Sequence, residues 1–339
     1  MARSSLKAMT RKYRHGAVGL LGHGEPADTV HANRERWNGW GQGKTALVTG
    51  GNAGLGFFTA LGLAASGAQV IIASRSMQRS RLARQLIEQL VPGSRIRQHE
   101  LDTSSYASVD RLGRDLASVE LDIIVANAGL IHTPRQRQVG VDGHELTLAT
   151  NFLGHARLIG SLAEQFRQRQ LRLIGLGSMS TRMLPADPQN LELHHGYSAY
   201  RAYTQSKAAL QCFTMALDHR LKQLSWPARS LAVHPGYSIS GLSIAVPGIN
   251  EPTLARRWRD QLQSGFAQGK HQGTVPIIEA ALNPGIAATE RGVYFGPALL
   301  SKGRVRMVKP SRLTRSKKLL DPVWELYRRA NDGSDPFGL

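Results

Sequence analysis

Thr49-Gly50-Gly51-Asn52-Ala53-Gly54-Leu55-Gly56 is the stretch on which the reading of this 339-residue chain turns. It follows a short aliphatic run, Thr45 to Thr49, and opens an apolar stretch with helical spacing over 54–66. The order is therefore strand, glycine turn, helix. A helix N-terminus presents free N–H groups and the positive end of its dipole, so it holds a pyrophosphate if the backbone can come close. Gly50, Gly54 and Gly56 remove the Cβ atoms that would intrude, with Asn52 and Leu55 between them at the same turn. A glycine cluster alone is common, and its flanking elements supply the meaning.

Working outward, short β-branched or aliphatic runs alternate with longer helix-patterned stretches. Strands are predicted at 45–49, 69–74, 95–101, 121–126, 171–176, 230–233 and 292–295, with helices near 54–66, 78–91, 105–118, 143–169, 200–224 and 275–289. That alternation predicts an α/β fold, a doubly wound, mostly parallel seven-stranded sheet of Rossmann type. It places a single domain at 44–300, a basic N-terminal extension at 1–43 and a basic C-terminal tail at 301–339. Two longer pieces interrupt the rhythm, 179–199 and 237–273, the second with an amphipathic helix near 254–263. Such insertions emerge beside the ligand crevice at the carboxyl ends of the strands.

Composition sets the outer limits. With 41% apolar residues the chain can bury a large core. The single cysteine, Cys212, lies in an apolar helical stretch and excludes both a disulfide framework and a thiolate metal cage, which fits a reducing compartment and a cytoplasmic location. No apolar run is long enough for a membrane span. Of the net charge of +19, thirteen excess charges sit in residues 1–24 and 301–320, which contain no acid. These ends read as solvated tails, or as basic arms for an acidic surface, partner or nucleic acid. The Arg-rich, acid-free N-terminus also has the composition of an organelle import signal. His194-His195 is not a metal pair, because adjacent histidines project differently and no third ligand falls at suitable spacing. Trp37 and Trp40 read as anchors for the extension rather than as base-stacking platforms.

The second strand ends Ala73-Ser74-Arg75-Ser76. An acid there would bind the ribose 2′-hydroxyl of NAD(H), whereas Arg75 offers a planar fork for a 2′-phosphate. NADP(H) is therefore expected over NAD(H), unless Arg75 is a plain surface arginine. The carboxyl ends of the next strands carry Asp102 and Asn127-Ala128-Gly129, followed along the chain by Asn151, then Ser178 with Ser180, and finally Tyr203-Thr204-Gln205-Ser206-Lys207. Positions i and i+4 share a helix face, so Tyr203 and Lys207 project together. A phenol is a poor acid at neutrality, and an adjacent ammonium is expected to lower its pKa. Tyr197 and Tyr200 have Arg201 and Thr204 at the fourth following position, so only Tyr203 has the lysine.

Taken in this order, the motifs resemble the short-chain dehydrogenase/reductase family, in the single-domain subclass with a TGxxxGxG turn and a YxxxK pair. The wording TGGNAGLG, NFLGH and AYTQSKAAL is most similar to its retinol dehydrogenase, protochlorophyllide reductase and carbonyl reductase branch, which prefers NADP(H). The resemblance implies an alcohol dehydrogenase or ketone reductase in which Ser178 bonds the substrate carbonyl oxygen and Tyr203 donates the proton. Lys207 would hold the nicotinamide ribose, Asn151 would position a relay water, and hydride would come from the nicotinamide. Asp102 would contact adenine, Asn127 the adenosine-side ribose, and Pro235-Gly236 the carboxamide face. Ser240 stands where the family often has a threonine. The strand before Ser178 carries Gly175 and Gly177 where β-branched residues are usual, which keeps Ser180 open as a second candidate.

Two further classes stay open. One is an NADP-dependent epimerase or lyase, whose turn would read TGxxGxxG; the other is a nucleotide-binding interaction protein working through basic tails. A small-molecule carbonyl or alcohol is the expected partner, and a homo-oligomer is left open. The 237–273 segment offers Tyr237, Ile239, Leu242, Ile244, Val246 and Ile249 as an apolar or aromatic substrate wall, or as residues that only pack the segment onto the domain.

Overall fold

Strand β1 (Thr45–Thr49) is buried along nearly its whole length and pairs in parallel with β2 (Gln69–Ser74) on one side and β4 (Ile123–Ala126) on the other. A strand covered on both faces needs a near-continuous apolar run, and TALVT supplies it. Side chains alternate between faces, so Ala46 and Val48 enter one core while Leu47 enters the opposite one. The computed structural model describes residues 24–338.

The sheet order is β10-β9-β6-β5-β4-β1-β2-β3, with β3 at Ile96–Glu100, β5 at Arg172–Leu176, β6 at Arg229–Val233, β9 at Tyr294–Pro297 and β10 at Val305–Met307. The chain builds outward from β1 to β3, then returns to the other side of β1 and builds outward again. Between β1 and β4 the order reverses, which opens a crevice at their carboxyl ends. Helices α1 (Pro26–Trp37), α2 (Gly54–Ala65), α3 (Met77–Leu90) and α10 (Val275–Leu282) cover one face. The other face carries α4 (Tyr106–Leu116), α5 (Gly154–Ser161), α6 (Ala163–Gln168), α7 (Ala199–Gln223) and α11 (Lys317–Ala330).

The doubly wound sheet expected from the sequence is present, with one strand more. The eighth, β10, is antiparallel to β9, and it comes from the segment expected to be a basic tail. That segment is not a solvated tail. Helix α11 turns Leu319, Val323, Trp324, Leu326, Tyr327 and Ala330 into the core and leaves Lys317, Lys318, Arg328 and Arg329 outside. Trp324 and Tyr327 pack on Phe213 of α7, each with ring centroids 5.2 Å apart. Trp324→Ala is therefore expected to cost about 3 kcal/mol or more of unfolding free energy. A urea midpoint equal to that of the unaltered chain would contradict this packing.

At the other end, the 1–43 extension includes α1, whose Trp37 is fully buried and donates through Nε1 to Glu279 Oε2 at 2.9 Å. Trp37 is an anchor, as read; Trp40 is exposed. The basic residues expected to carry an import signal or arm fall mostly in 1–23, outside the described residues. The single helix expected over 143–169 is broken: Leu146–Leu148 leads through a π turn at Ala149–Leu153 into α5, and α6 follows. The 237–273 insertion contains a two-stranded ladder of β7 (Ser238–Ile239) and β8 (Gln268–Gly269), then α8 (Leu254–Gln261) before β8 and the short α9 (Lys270–Gly273) after it. Helix α8 is amphipathic in an inverted sense. Arg257 and Asp260 are buried because they bond the main chain of Gly241 and Ser243, while Leu254, Trp258 and Leu262 face outward.

Candidate active site

The crevice is braced by side chains at the strand ends. Thr49 Oγ1 accepts the N–H groups of Asn127 and Ala128, both at 3.0 Å, and lies 2.9 Å from His155 Nε2. Asn127 Nδ2 donates to the Thr49 carbonyl at 2.8 Å. These bonds tie the end of β1 to the end of β4. Burial pushes the His155 pKa down to about 4, so its ring is neutral. The Thr49 hydroxyl also donates to the Val125 carbonyl at 3.2 Å, and His155 Nδ1 faces the Asn151 carbonyl at 3.3 Å.

The glycine turn fits a dinucleotide by steric test. A Cβ on Gly56 would fall 2.2 Å from the Gly50 carbonyl oxygen and 2.5 Å from Asn127 Nδ2, and Gly50 itself has φ +66°. Only a backbone free of side chains closes this loop and brings the N-terminus of α2 to the cavity. Helix α2 has no acid in its first turn, so nothing there repels an anion. The cavity measures about 440 Å³, and Gly50, Asn52, Gly54, Leu55, Gly56, Arg75, Asn127, Ala128, Gly129, Tyr203, Lys207 and Pro235 all line it.

At the far end, Tyr203 and Lys207 stand one turn apart on α7. The Tyr203 hydroxyl lies 3.5 Å from Ser178 Oγ, just past β5. Ser178 Oγ also accepts the Ser180 N–H at 3.1 Å and the Ser180 hydroxyl at 2.9 Å. Ser178 Oγ thus accepts from Ser180 and from the Tyr203 hydroxyl, which leaves its own proton to be donated elsewhere. Ser180 bonds Ser178, and among the described residues the serine hydroxyl bonded to Tyr203 is that of Ser178.

Lys207 is buried and its Nζ donates to the Leu176 carbonyl at 3.0 Å, and burial pulls its pKa down to about 8. The expected lowering of the Tyr203 pKa is not found. Burial holds the phenol above its ordinary value, partly offset by the Ser178 hydroxyl, and the Lys207 ammonium is directed to Leu176 instead. Asn151 is fully buried in the π turn; its Oδ1 accepts the Leu130 N–H at 2.7 Å and its Nδ2 donates to Ser206 Oγ at 2.9 Å. Its amide is saturated by protein, so it fixes the 130 loop against α7.

Several residues expected at the site do not line the cavity. Asp102 Oδ1 accepts the N–H and hydroxyl of Ser104, at 2.9 and 2.6 Å, and so shapes a turn. Gly236 packs on the 301 turn, where a Cβ would meet the Ser301 carbonyl oxygen at 2.2 Å. Ser240 presents its main-chain carbonyl to Asn250. Of the apolar wall, Ile249 lines the cavity, whereas Leu242, Ile244 and Val246 are buried. Tyr237 stacks on Phe266, with centroids 5.9 Å apart. Sequence reading missed Arg79 and Lys270, which also line the cavity. Arg79 follows Arg75 by four residues across a Ser76 N-cap, a spacing that could have revealed it. Cys212 is buried, with its thiol pushed up to about 12, and takes no part. Among the described residues no group of three or more His, Cys, Asp or Glu is arranged to hold a metal, and no helix is long and apolar enough to cross a membrane.

This arrangement has close parallels in known proteins. Residues 44–245 match the family model described as short chain dehydrogenase. Retinol dehydrogenase 11 of Mus musculus is 30% identical over 262 residues, 76% of this chain and 79% of that protein. A short-chain dehydrogenase/reductase of Penicillium roqueforti is 30% identical over 250 residues, 70% of this chain and 69% of its own. Among solved structures, an uncharacterised protein from Mycobacterium paratuberculosis superposes with a TM-score of 0.68 at 27% identity, covering 86% of this chain and 94% of that one. The chain belongs to the short-chain dehydrogenase/reductase family, in its retinol dehydrogenase branch.

Proposed function

We propose that this oxidoreductase uses NADP(H) to interconvert a ketone or aldehyde and an alcohol on an apolar or aromatic substrate. The observation that carries the reading is the Ser178–Tyr203 pair, 3.5 Å apart between hydroxyl oxygens, of which Tyr203 lines the same cavity as the glycine turn and Arg75. When bound, the nicotinamide supplies or accepts hydride. In reduction, a carbonyl oxygen between Ser178 and Tyr203 takes the hydrogen bond that Ser178 has free. As negative charge develops on that oxygen, Tyr203 passes its proton to it. Burial keeps the phenol protonated at neutral pH, which is the state a donor needs. The tyrosinate left behind accepts a hydrogen bond from the Ser178 hydroxyl once the alcohol leaves, while Lys207, on the same helix face and lining the same cavity, would hold the nicotinamide ribose. Asn151 holds the loop that faces this pocket.

The adenosine end is read by Arg75 and Arg79, two guanidinium groups at the cavity edge with no acid following β2. Arg75→Ala is expected to weaken NADPH binding by about tenfold or more while leaving NADH within about twofold, since a charge-assisted bond to the 2′-phosphate contributes on the order of 1.5–3 kcal/mol. Dissociation constants from cofactor fluorescence decide it, and equal loss on both cofactors would remove the preference. The activity itself is tested by following NADPH oxidation against retinals, steroids, quinones and aliphatic ketones. Turnover with none of these classes would argue against a carbonyl reductase.

A further inference from the structure

We infer that Lys270 closes over the pyrophosphate of the bound dinucleotide from the side opposite the glycine turn, and so ties the 237–273 crossover to the cofactor. The inference rests on the dinucleotide reading of the cavity, and adds to it a contact delivered by a different part of the chain.

The main chain of Lys270 is held in place, since its N–H donates to Ser243 Oγ at 2.7 Å at the start of α9. From there the side chain reaches the glycine turn at the cavity wall. A Cβ built on Gly54 would lie 3.6 Å from Lys270 Nζ and 3.8 Å from its Cδ. Gly54 is the first residue of α2, where the unpaired N–H groups of that helix emerge. An anion resting on those groups therefore has the Lys270 ammonium within reach on its other side.

Among the described residues no carboxylate answers that charge. Asp260, the only acid between residues 252 and 274, is engaged by Arg256 and Arg259. Lys270 forms no ion pair among the described residues, although it is partly buried. Burial and the nearby Arg256 both disfavour its charged form, and a phosphate would offset that cost. A lysine serves as a point charge toward phosphate. Beside Gly54, at the start of α2, it would act on the part that NADPH and NADH share.

The consequence extends beyond affinity. The crossover that ends in Lys270 also carries Ile249 to the cavity wall, so a cofactor gripped by Lys270 would steady the segment against which a substrate rests. The probes are NADPH and NADH themselves, titrated into the full chain. Lys270→Met is expected to raise both dissociation constants by about tenfold, and Lys270→Arg to restore them to within about threefold. In hydrogen exchange, saturating NADPH should protect peptides from 237–273 in the unaltered chain, with that protection reduced in Lys270→Met. Unchanged constants for both cofactors in Lys270→Met would overturn the inference, as would a loss confined to NADPH, which would assign Lys270 to the 2′-phosphate. If the unaltered chain binds neither cofactor, the dinucleotide reading itself fails, a result distinct from any behaviour of the variant.

Discussion

Tyr203→Phe is expected to lower kcat for carbonyl reduction by about 10³-fold, while the dissociation constant for NADPH stays within about twofold. The substitution removes one oxygen and keeps the ring, so the α7 packing is preserved. General acid catalysis contributes on the order of 10²–10⁴-fold, and no neighbouring group can take over the proton. Tyr200 is exposed, with its hydroxyl against Met183 sulfur at 3.8 Å, and the Tyr197 hydroxyl donates to the Pro134 carbonyl at 2.8 Å. Ser178 has a proton but a far less acidic hydroxyl, already engaged as an acceptor by Ser180. Steady-state rates with any accepted carbonyl substrate and cofactor fluorescence titration together give the answer. Full turnover in the Phe variant would show that the proton comes from elsewhere and that Tyr203 only lines the pocket.

The parts of this site that were legible in the sequence are those encoded over short spans. A glycine turn between a strand and a helix, and a tyrosine one helical turn before a lysine, can be read from spacing because the secondary structure imposes the geometry. The sheet followed from alternation, and its switch point from the order of the motifs. What escaped depends on contacts between distant segments. Lys270 meets the glycine turn only because the crossover folds back over α2, and nothing near residue 270 announces it. Asp102 has the right type and place for a ligand, yet Ser104, two residues on, binds one of its carboxylate oxygens, Oδ1. The Tyr203 pKa went the other way because burial depends on the whole pocket, while the sequence showed only the adjacent charge. Helix α11 was overlooked for another reason. Its basic residues dominate a count of charge, whereas the apolar residues that bury it are visible only as a period.

The correction to Tyr203 shifts the expected pH control onto Lys207. The proposed mechanism of reduction requires the phenol protonated and the ammonium charged. Burial raises the Tyr203 pKa from an ordinary value of 10.0, so the phenol is protonated across the neutral and mildly alkaline range. Burial lowers the Lys207 pKa to about 8, so the positive charge that would hold the nicotinamide ribose and offset negative charge developing on the substrate oxygen is present below that pH and lost above it. Reduction should accordingly hold a plateau below about pH 8 and fall above it with a slope approaching one decade per unit. Lys207→Met, which lacks the charge at every pH, should lose about 10²-fold at pH 7 and show no fall near pH 8. Lys207→Arg retains a cation that does not titrate in this range; whatever its absolute rate, its alkaline fall should move well above pH 8. Rate profiles of kcat from pH 6 to 10 distinguish these cases. A fall near pH 8 that persists unchanged in Lys207→Met would assign the titration to another group, and an unaltered chain whose rate keeps rising through pH 9 would show that the Lys207 ammonium is not what stabilises the proton transfer.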